Sequence, residues 1–251
     1  MAGLFFLSDD QWRMIEPHLP KNQPGARRVD DRRVISGIFH VLKTGCRWID
    51  CPSEYGPHTT IYNRFNRWSR KRFWISVFAA VAEEAAVPTS TSIDSTYVKA
   101  QRSAFGGKGG IKRRRLGSRA VGKTTKIHAL TDTIGRPFRL RLTAGNISDI
   151  TAAPNLLANL AGAKHLLADK GYDADKLRQA LRAESISPVI PGRSNRKHPI
   201  NYDKHRYRER HLIENAFCRI KDFRRVATRY DKLAANFLST VALACLLAYW
   251  I

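Results

Sequence analysis

Four residues near the C-terminus have types and spacing that suit phosphate chemistry: Tyr207, Arg210, Glu214 and Lys221, in the pattern Y-x2-R-x3-E-x6-K. On a continuous α-helix, at about 100° per residue, these side chains fall within an arc of roughly 60°. A carboxylate can bind a divalent metal, and cations can bind a phosphate. The spacing therefore predicts one helix face at which DNA chemistry could take place.

Two further acids lie where strands are predicted. Asp94 lies within or at the end of a segment rich in Thr, Ser and β-branched residues, and Asp169 directly follows the short apolar stretch 165–168. Sites in α/β sheets form at the carboxyl ends of strands, and an acid in an apolar strand is costly unless it is paired or metal-bound. Together with Glu214, these acids would form a cluster of three carboxylates.

Three carboxylates suit metal-dependent cleavage of a phosphodiester. Two Mg²⁺ ions roughly 3.5–4 Å apart can activate the attacking oxygen and stabilise the leaving one, and Mg²⁺ prefers oxygen ligands. Each acid also has an ordinary structural interpretation. Asp94 could cap a turn, Asp169 could be a turn residue before Gly171, and Glu214 could form an i,i+4 ion pair with Arg210. The coincidence of all three favours the cluster.

The elements that would position these acids follow a mixed α/β pattern. After Pro88 the sequence predicts strands at 89–98, 124–131, 137–143, 165–168 and 187–190, and helices at 152–160, 175–183 and 207–225. This order implies a mixed sheet with helices packed on its faces. A second arc of the last helix is apolar and would pack on the sheet; it consists of Leu212, Ile213, Ala216, Ile220 and Phe223.

The first 88 residues predict a small all-helical domain of the helix-turn-helix type. Ser8 and Gln11 form a capping box for the first helix. A second helix is predicted from about residue 30 to 43, ending at Gly45. Thr59 or Thr60 is predicted to cap a third, and a fourth covers about residues 73–86.

The third predicted helix is a candidate for DNA contact. Arg64, Arg67 and Arg70 lie largely away from its apolar stripe, so the helix could enter the major groove as recognition helices do. The alternative is a basic face that is only solvated, because the preceding loop of about 14 residues is much longer than the usual turn.

The charge of the chain points to a polyanionic partner. The 251 residues carry a net charge of +23, of which residues 1–89 contribute +4 and residues 90–251 contribute +19. Nucleic acid and an anionic membrane surface are the two candidates. A Gly-rich basic loop at about 100–123, with Lys112, Arg113, Arg114 and Arg115 at its centre, concentrates this charge.

Two other features narrow the class of protein. The four cysteines contain no C-x2-C pair, so a structural zinc site is not expected, and reduced thiols in the cytoplasm are the default interpretation. Residues 233–251 are largely apolar and about as long as a minimal membrane span. Because Asn236, Ser239 and Thr240 interrupt this segment, we favour a buried core helix over a span.

The acids and the residues around Glu214 resemble those of the DDE transposases of bacterial insertion sequences, in the branch that contains insertion sequence five. The Y-x2-R-x3-E-x6-K signature is intact, and further similar pieces extend over nearly the whole chain. They are Leu7-Ser8-Asp9-Asp10-Gln11-Trp12, Arg47-Trp48, Ile93-Asp94-Ser95-Thr96, Lys126-Ile127-His128, Gly135-Arg136-Pro137, Gly145-Asn146 and Ala168-Asp169-Lys170-Gly171-Tyr172.

The resemblance implies a helical DNA-binding domain at 1–88, followed in the sequence by a ribonuclease-H-like catalytic domain at 89–251. Asp94, Asp169 and Glu214 would hold two Mg²⁺ ions, with Mn²⁺ as a substitute, while Tyr207, Arg210 and Lys221 would position the DNA end. Members bind the terminal inverted repeats of their element, cut at its ends and join the 3′-OH ends to target DNA by transesterification.

Partners and alternatives follow from the same resemblance. The expected partner is DNA rather than a membrane, the expected location is the cytoplasm at the nucleoid, and joining two ends implies at least a dimer. The alternatives are a catalytically inactive, transposase-derived DNA-binding regulator and a ribonuclease-H-fold nuclease that cuts without joining.

Overall fold

The computed structural model describes residues 3–21, 30–83, 88–105, 115–119, 122–160 and 162–251. The chain divides into two units. One comprises Met1–Glu84, Gln101–Lys108 and Ile220–Ile251, and the other comprises Ala85–Ala100 and Gly109–Arg219. Each unit combines segments that are distant in the sequence, and the domain boundary after residue 88 stays a prediction.

The regular elements follow one another along the chain in a helical, then a mixed, then a helical region. The α-helices are α1 (Asp9–Ile15), α2 (Asp31–Thr44), α3 (His58–Arg70), α4 (Phe73–Glu83), α5 (Ala153–Leu157), α6 (Asp175–Ala183), α7 (Lys204–Tyr207), α8 (His211–Lys221), α9 (Arg224–Ala227) and α10 (Ala234–Tyr249). The strands are β1 (Ser90–Ala100), β2 (Gly117–Arg119), β3 (Gly122–Thr131), β4 (Pro137–Ala144), β5 (His165–Ala168), β6 (Ser187–Val189) and β7 (Thr228–Arg229).

Local sequence signals set the helix ends in the first unit. The predicted capping box is confirmed, since Gln11 N–H donates to Ser8 Oγ and Ser8 N–H donates to the Gln11 side chain. Gly45 ends α2 as predicted, in the left-handed conformation with φ of 76°. The predicted threonine cap of α3 is wrong. Helix α3 begins at His58, because the Pro57 carbonyl already accepts from the N–H groups of residues 60 and 61.

The apolar C-terminal segment forms a core helix of the first unit. Helix α10 packs against α2, α3 and α4, and its residues from Asn236 to Leu246 are mostly buried. Asn236 donates through Nδ2 to Asn66 Oδ1 at 3.2 Å, so the polar position within the helix has a partner. The predicted buried helix is confirmed. Among the described residues, no helix combines the length and the apolar character needed to cross a membrane.

The second unit is built on a mixed sheet with β1 near its centre. Strand β3 pairs antiparallel with β1 on one side and with β2 and β4 on the other. Strand β5 pairs parallel with β1 and with β6. The predicted mixed sheet is therefore confirmed.

Helices and strands of this unit share one apolar core. It includes Ile93 of β1, Leu130 of β3, Leu156 of α5, Leu166 of β5 and Leu181 of α6, all buried. Strands β1 and β5, which contribute to this core, pair in register up to Ile93 and Ala168, the residues that directly precede the two acids.

The helix predicted at 207–225 is interrupted, which is a correction to the sequence analysis. Helix α7 ends at Tyr207, a 3₁₀ turn covers Arg208–Arg210, and α8 begins at His211. A 3₁₀ turn advances about 120° per residue, so the single arc of roughly 60° calculated for a continuous α-helix does not apply. The apolar second arc is nevertheless present, because Ile213, Ala216 and Ile220 are buried.

Candidate active site

Asp94 and Asp169 lie side by side at the centre of the sheet. In the parallel pairing of β1 with β5, Ile93 is the register partner of Ala168. The residue that follows each of these two is an aspartate, and neighbouring strands are about 4.8 Å apart. The structure thus brings together two acids that are 75 positions apart in the sequence.

Arg210 connects this pair to Glu214. Its Nη1 donates to Asp94 Oδ2 at 2.8 Å, and its Nη2 donates to Glu214 Oε1. The Arg210 and Asp94 side chains are each 17% exposed, whereas that of Glu214 is 53% exposed. One guanidinium therefore holds an acid from the sheet and an acid from α8 within reach of each other.

The ordinary structural interpretations of the three acids also describe real contacts. Ser95 N–H donates to Asp94 Oδ1 at 2.7 Å, Gly171 N–H donates to Asp169 Oδ1 at 2.9 Å, and Glu214 pairs with Arg210 at i,i+4. These local contacts do not account for the bond between Arg210 and Asp94, which spans 116 positions. The long-range bond is what distinguishes a cluster from three separate caps.

Burial is the main influence on the pKa of Asp94, and the neighbouring charges modify it. Burial raises the pKa of Asp94 to about 6, the Ser95 N–H and Arg210 oppose that rise, and the Asp169 and Glu214 carboxylates add to it. A bound cation would compensate the negative charge that the Asp169 and Glu214 carboxylates place near Asp94.

The residues fit a magnesium site by the chemistry of their donors. Carboxylate oxygens are the ligands that Mg²⁺ prefers, and Asp94 and Asp169 are adjacent. As they are placed, no three Asp, Glu, His or Cys side chains in the described part of the chain form a ready metal-binding group. Arg210 supplies the positive charge between Asp94 and Glu214.

The two other residues of the signature lie before Arg210 and after Glu214 in the sequence. Tyr207 is half-buried, and the Arg210 guanidinium lies 5.8 Å from the centre of its ring. Burial raises the Tyr207 pKa, so its hydroxyl is protonated at neutral pH. Lys221 is the last residue of α8 and belongs to the first unit. Their roles at a DNA end stay predictions.

The predicted basic contacts of the third helix separate into two kinds. Arg64 is wrongly assigned to an exposed face: it is 5% exposed, its guanidinium pairs with Asp31, and it lies 4.8 Å from the Trp68 ring. Arg67 and Arg70 are exposed on α3. Arg64 is therefore committed to the interior of the helical unit, and only the other two remain candidates.

Of the four cations predicted at the centre of the basic loop, Arg115 lies among the described residues. Arg115 is exposed and donates through Nη1 to the Leu142 carbonyl at 2.5 Å. Lys112, Arg113 and Arg114 lie outside the described residues, so their predicted DNA contacts remain predictions.

Further residues near the site were not predicted as site residues. Asp149 accepts from Ser95 Oγ and from Lys126 Nζ, and the buried Tyr172 hydroxyl lies in the field of Asp149 and both strand-end acids. Ser95, Lys126 and Tyr172 stand in similar pieces quoted above, but Asp149 does not. The position of Asp149, three residues after the quoted piece Gly145-Asn146, is the sequence feature that could have indicated it.

Two family models together match nearly the whole chain. The model described as "Transposase DDE domain" matches residues 86–251, and the model described as "Putative transposase of IS4/5 family" matches residues 7–78. The chain belongs to the DDE transposase family. The predicted family is thereby confirmed at this level, and Asp94, Asp169 and Glu214 are the candidates for its three acids.

Curated relatives come from insertion sequences. A protein of Brucella ovis named "Putative transposase for insertion sequence element IS6501" is 41% identical over 126 residues, which cover 49% of this DDE transposase and 95% of the relative. A Burkholderia cepacia protein named for element IS402 is 29% identical over 137 residues, covering 50% of this chain and 63% of the relative.

A solved structure supports the fold. The cryo-EM structure of the piggyBac transposase synaptic complex with hairpin DNA covers 99% of this chain and 73% of that chain, with a TM-score of 0.55 and 10% identity. At this identity the likeness concerns the fold alone. The predicted ribonuclease-H-like fold with an N-terminal helical region is confirmed.

Proposed function

We propose that this DDE transposase serves a bacterial insertion sequence of the insertion-sequence-five branch. It binds the terminal inverted repeats of its element, cuts phosphodiesters at the element ends and joins the 3′-OH ends to target DNA. The observation that carries this proposal is the bond from Arg210 to Asp94, because it draws the acid of α8 toward the paired acids of the sheet.

Asp94, Asp169 and Glu214 would hold two Mg²⁺ ions, for which Mn²⁺ can substitute. When bound, the ions supply activation of the attacking oxygen and stabilisation of the leaving oxygen. The protein itself contributes position. The register of β1 with β5 fixes the two aspartates, and α8 presents the more exposed Glu214 beside them.

We assign binding of the DNA end to the cations and the phenol of the signature. The Arg210 guanidinium can donate to a phosphate oxygen with the same planar fork that it now directs at carboxylates. The Tyr207 ring lies against it, and Lys221 adds a cation at the end of α8. Arg67, Arg70 and the cluster at 112–115 are proposed as sequence-independent backbone contacts.

Cleavage and strand transfer on DNA that carries the inverted repeats flanking the gene would test the proposal. With Mg²⁺ we expect nicked ends and joined products from the wild type. Asp94→Asn, Asp169→Asn and Glu214→Gln should each lose both products, because each substitution removes a charged oxygen ligand while keeping the shape of the side chain.

Asp132→Asn is the matched control. Asp132 is also a buried aspartate paired with an arginine, Arg136, but it lies in the turn between β3 and β4. Its substitution should leave the products unchanged. Full activity in any of the three acid variants would remove that residue from the site. Cutting without joining would indicate a nuclease, and binding without cutting at any Mg²⁺ or Mn²⁺ concentration would indicate a regulator.

A further inference from the structure

A fourth acid, Asp149, lies beside the candidate site on a separate element. It begins the 3₁₀ turn Asp149–Thr151 that follows β4. Its Oδ1 accepts from Ser95 Oγ at 2.6 Å and from Lys126 Nζ at 2.8 Å. Because Ser95 directly follows Asp94, this acid reaches the central strand at the position next to the proposed ligand.

The contact continues from Ser95 to Asp94. Ser95 donates through its backbone N–H to Asp94 Oδ1 at 2.7 Å, while its hydroxyl donates to Asp149. The other oxygen of Asp94, Oδ2, accepts from Arg210. Both oxygens of Asp94 are thus fixed, one by Arg210 and one by a residue that Asp149 restrains.

Lys126 holds Asp149 in place. Its Nζ also donates to the Ile147 carbonyl at 2.7 Å and lies 4.8 Å from the centre of the Tyr97 ring. Lys126 is 3% exposed, so its charge is committed to this contact. The ion pair therefore anchors the turn after β4 onto the strand that neighbours β1.

A neighbouring histidine does not add a second positive charge at Asp149. His128 Nδ1 lies 3.9 Å from Asp149 Oδ1, but burial lowers the His128 pKa to about 4, which leaves the ring neutral at neutral pH. The His128 Nε2 contacts Thr143 Oγ1 at 2.7 Å.

Tyr172 provides an independent sign that Asp149 and the site share one environment. Its side chain is 1% exposed, and its hydroxyl has no hydrogen-bond partner among the described residues. Burial raises the Tyr172 pKa, and the carboxylates of Asp149, Asp94 and Asp169 raise it further. A buried donor thus lies in the field of the fourth acid and of both strand-end acids.

We propose that Asp149 is a positioning residue, which acts through Ser95 to orient the Asp94 carboxylate for metal binding and DNA cleavage. This inference rests on the proposed function, since it assigns Asp149 a part in the same site. The competing interpretation is that Asp149 only neutralises Lys126. Ser95→Ala separates the two, because it removes the hydroxyl through which Asp149 restrains Ser95 and leaves the ion pair between Asp149 and Lys126 in place.

The test combines Mn²⁺ affinity, measured by electron paramagnetic resonance on the DNA-free protein, with single-turnover cleavage, DNA affinity and Tm. Removing a residue that orients a metal ligand typically costs about 10–100-fold in metal affinity or activity. We expect Ser95→Ala to weaken Mn²⁺ binding and slow cleavage about tenfold, with DNA affinity and Tm near those of the wild type. Ser95→Thr, which retains the hydroxyl, should restore both.

Ser239→Ala is the matched control, because it also removes one serine hydroxyl, which donates to the Ala235 carbonyl within α10. It should change neither Mn²⁺ affinity nor cleavage. The double variant Ser95→Ala with Asp149→Ala should bind Mn²⁺ no more weakly than Asp149→Ala alone, since both substitutions break one chain of contacts.

Three outcomes would overturn the inference. They are a Ser95→Ala variant equal to the wild type in Mn²⁺ affinity and cleavage, a loss confined to Tm, or losses in the double variant that multiply as for independent sites. If Asp94→Asn loses activity and Ser95→Ala does not, the positioning role fails and the proposed function stands. If the wild type neither binds Mn²⁺ nor cleaves DNA, both fail.

Discussion

Two clusters of acids and arginines in the same unit differ in how many arginine partners their central aspartate has. At the candidate site, one guanidinium from Arg210 serves both Asp94 and Glu214, with Asp169 beside them. At the second cluster a single carboxylate, Asp173, accepts from Arg178 Nε at 2.9 Å and from Arg196 Nε at 2.6 Å. Asp94 therefore shares a single guanidinium with Glu214, whereas Asp173 accepts from two guanidiniums, one of which, Arg196, also pairs with Asp175.

The pKa values of the two aspartates follow this difference. Burial alone would raise both. At Asp173 the hydrogen bonds from Arg196, the Arg193 N–H and Arg178 outweigh burial and hold its pKa below the usual range. At Asp94 burial prevails and the pKa rises to about 6. The arginines around Asp173 stabilise its negative charge, so this residue has a structural role. The negative charge of Asp94 is less well stabilised, and a bound cation would stabilise it further.

The largest expected effect is the loss of DNA cleavage when the charge of Asp94 is removed. Asp94→Asn should lower the cleavage rate on the order of 10³-fold, because it removes a charged group that stabilises the reacting phosphate through a bound cation. Its free energy of unfolding should not fall, since burial penalises the charged carboxylate and asparagine carries no charge. Single-turnover cleavage and urea unfolding of the same preparation check this. A variant that cleaves normally, or that is strongly destabilised, would contradict the contrast.

The second prediction concerns stability. Asp173→Asn should lower the free energy of unfolding by about 3 kcal/mol, because removing one partner of a buried ion pair leaves the other charge uncompensated. Arg178 is that other charge, with its side chain 3% exposed. Urea unfolding measures the loss. Asp175→Asn is the control: its side chain is 73% exposed and shares Arg196, so a change below about 1 kcal/mol is expected. Equal effects in the two variants would refute the assignment.

The contrast between the clusters shows which features a sequence can reveal. Strand 165–168 and helix 175–183 were predicted with the observed bounds, because their signals are local periodicity and flanking turns. The adjacency of Asp94 and Asp169 was predictable only in general terms, since it depends on the register of β1 with β5. Apolar patterns set which strands form but do not specify that register.

Residues whose role depends on a distant partner were missed or misplaced. Arg64 was expected on an exposed face, although Asp31, 33 positions earlier, draws it into the interior. Asp149 was overlooked because its partner Ser95 lies 54 positions away. The spacing of the signature does not indicate the 3₁₀ turn at Arg208–Arg210, so a continuous helix was the simplest prediction.

The third prediction uses pH to separate the two clusters in buffers free of divalent ions. The ordinary aspartate pKa is 3.8, and that of Asp94 is raised in the folded protein to about 6. The Asp94 contribution to stability is therefore present below pH 3.8 and lost as the pH rises through about 6. The lowered pKa of Asp173 gives the reverse: its contribution is present above pH 3.8 and is lost as the pH falls below that value.

Urea unfolding of the wild type and of each Asp→Asn variant between pH 3 and 8 measures these contributions. The difference between the wild type and Asp94→Asn should change between pH 4 and 6, and the difference between the wild type and Asp173→Asn should change below pH 4. A common pH dependence for both variants would mean that the two clusters have the same charge balance.

The smallest effect is expected in the helical unit, where α3 carries both a buried, ion-paired arginine and exposed arginines. Arg64 is paired with Asp31, as Arg178 is with Asp173, whereas Arg67 is exposed. If Arg67 contacts a DNA phosphate, Arg67→Ala should reduce the slope of log K against log salt by about 0.9 and leave the Tm unchanged. Arg64→Ala should lower the Tm and leave the slope of the folded protein intact. Fluorescence anisotropy with terminal-repeat DNA at several salt concentrations measures the slope. Since the two arginines lie on one helix three residues apart, an equal change of slope in both variants would show that burial in the free protein does not decide which arginine binds DNA.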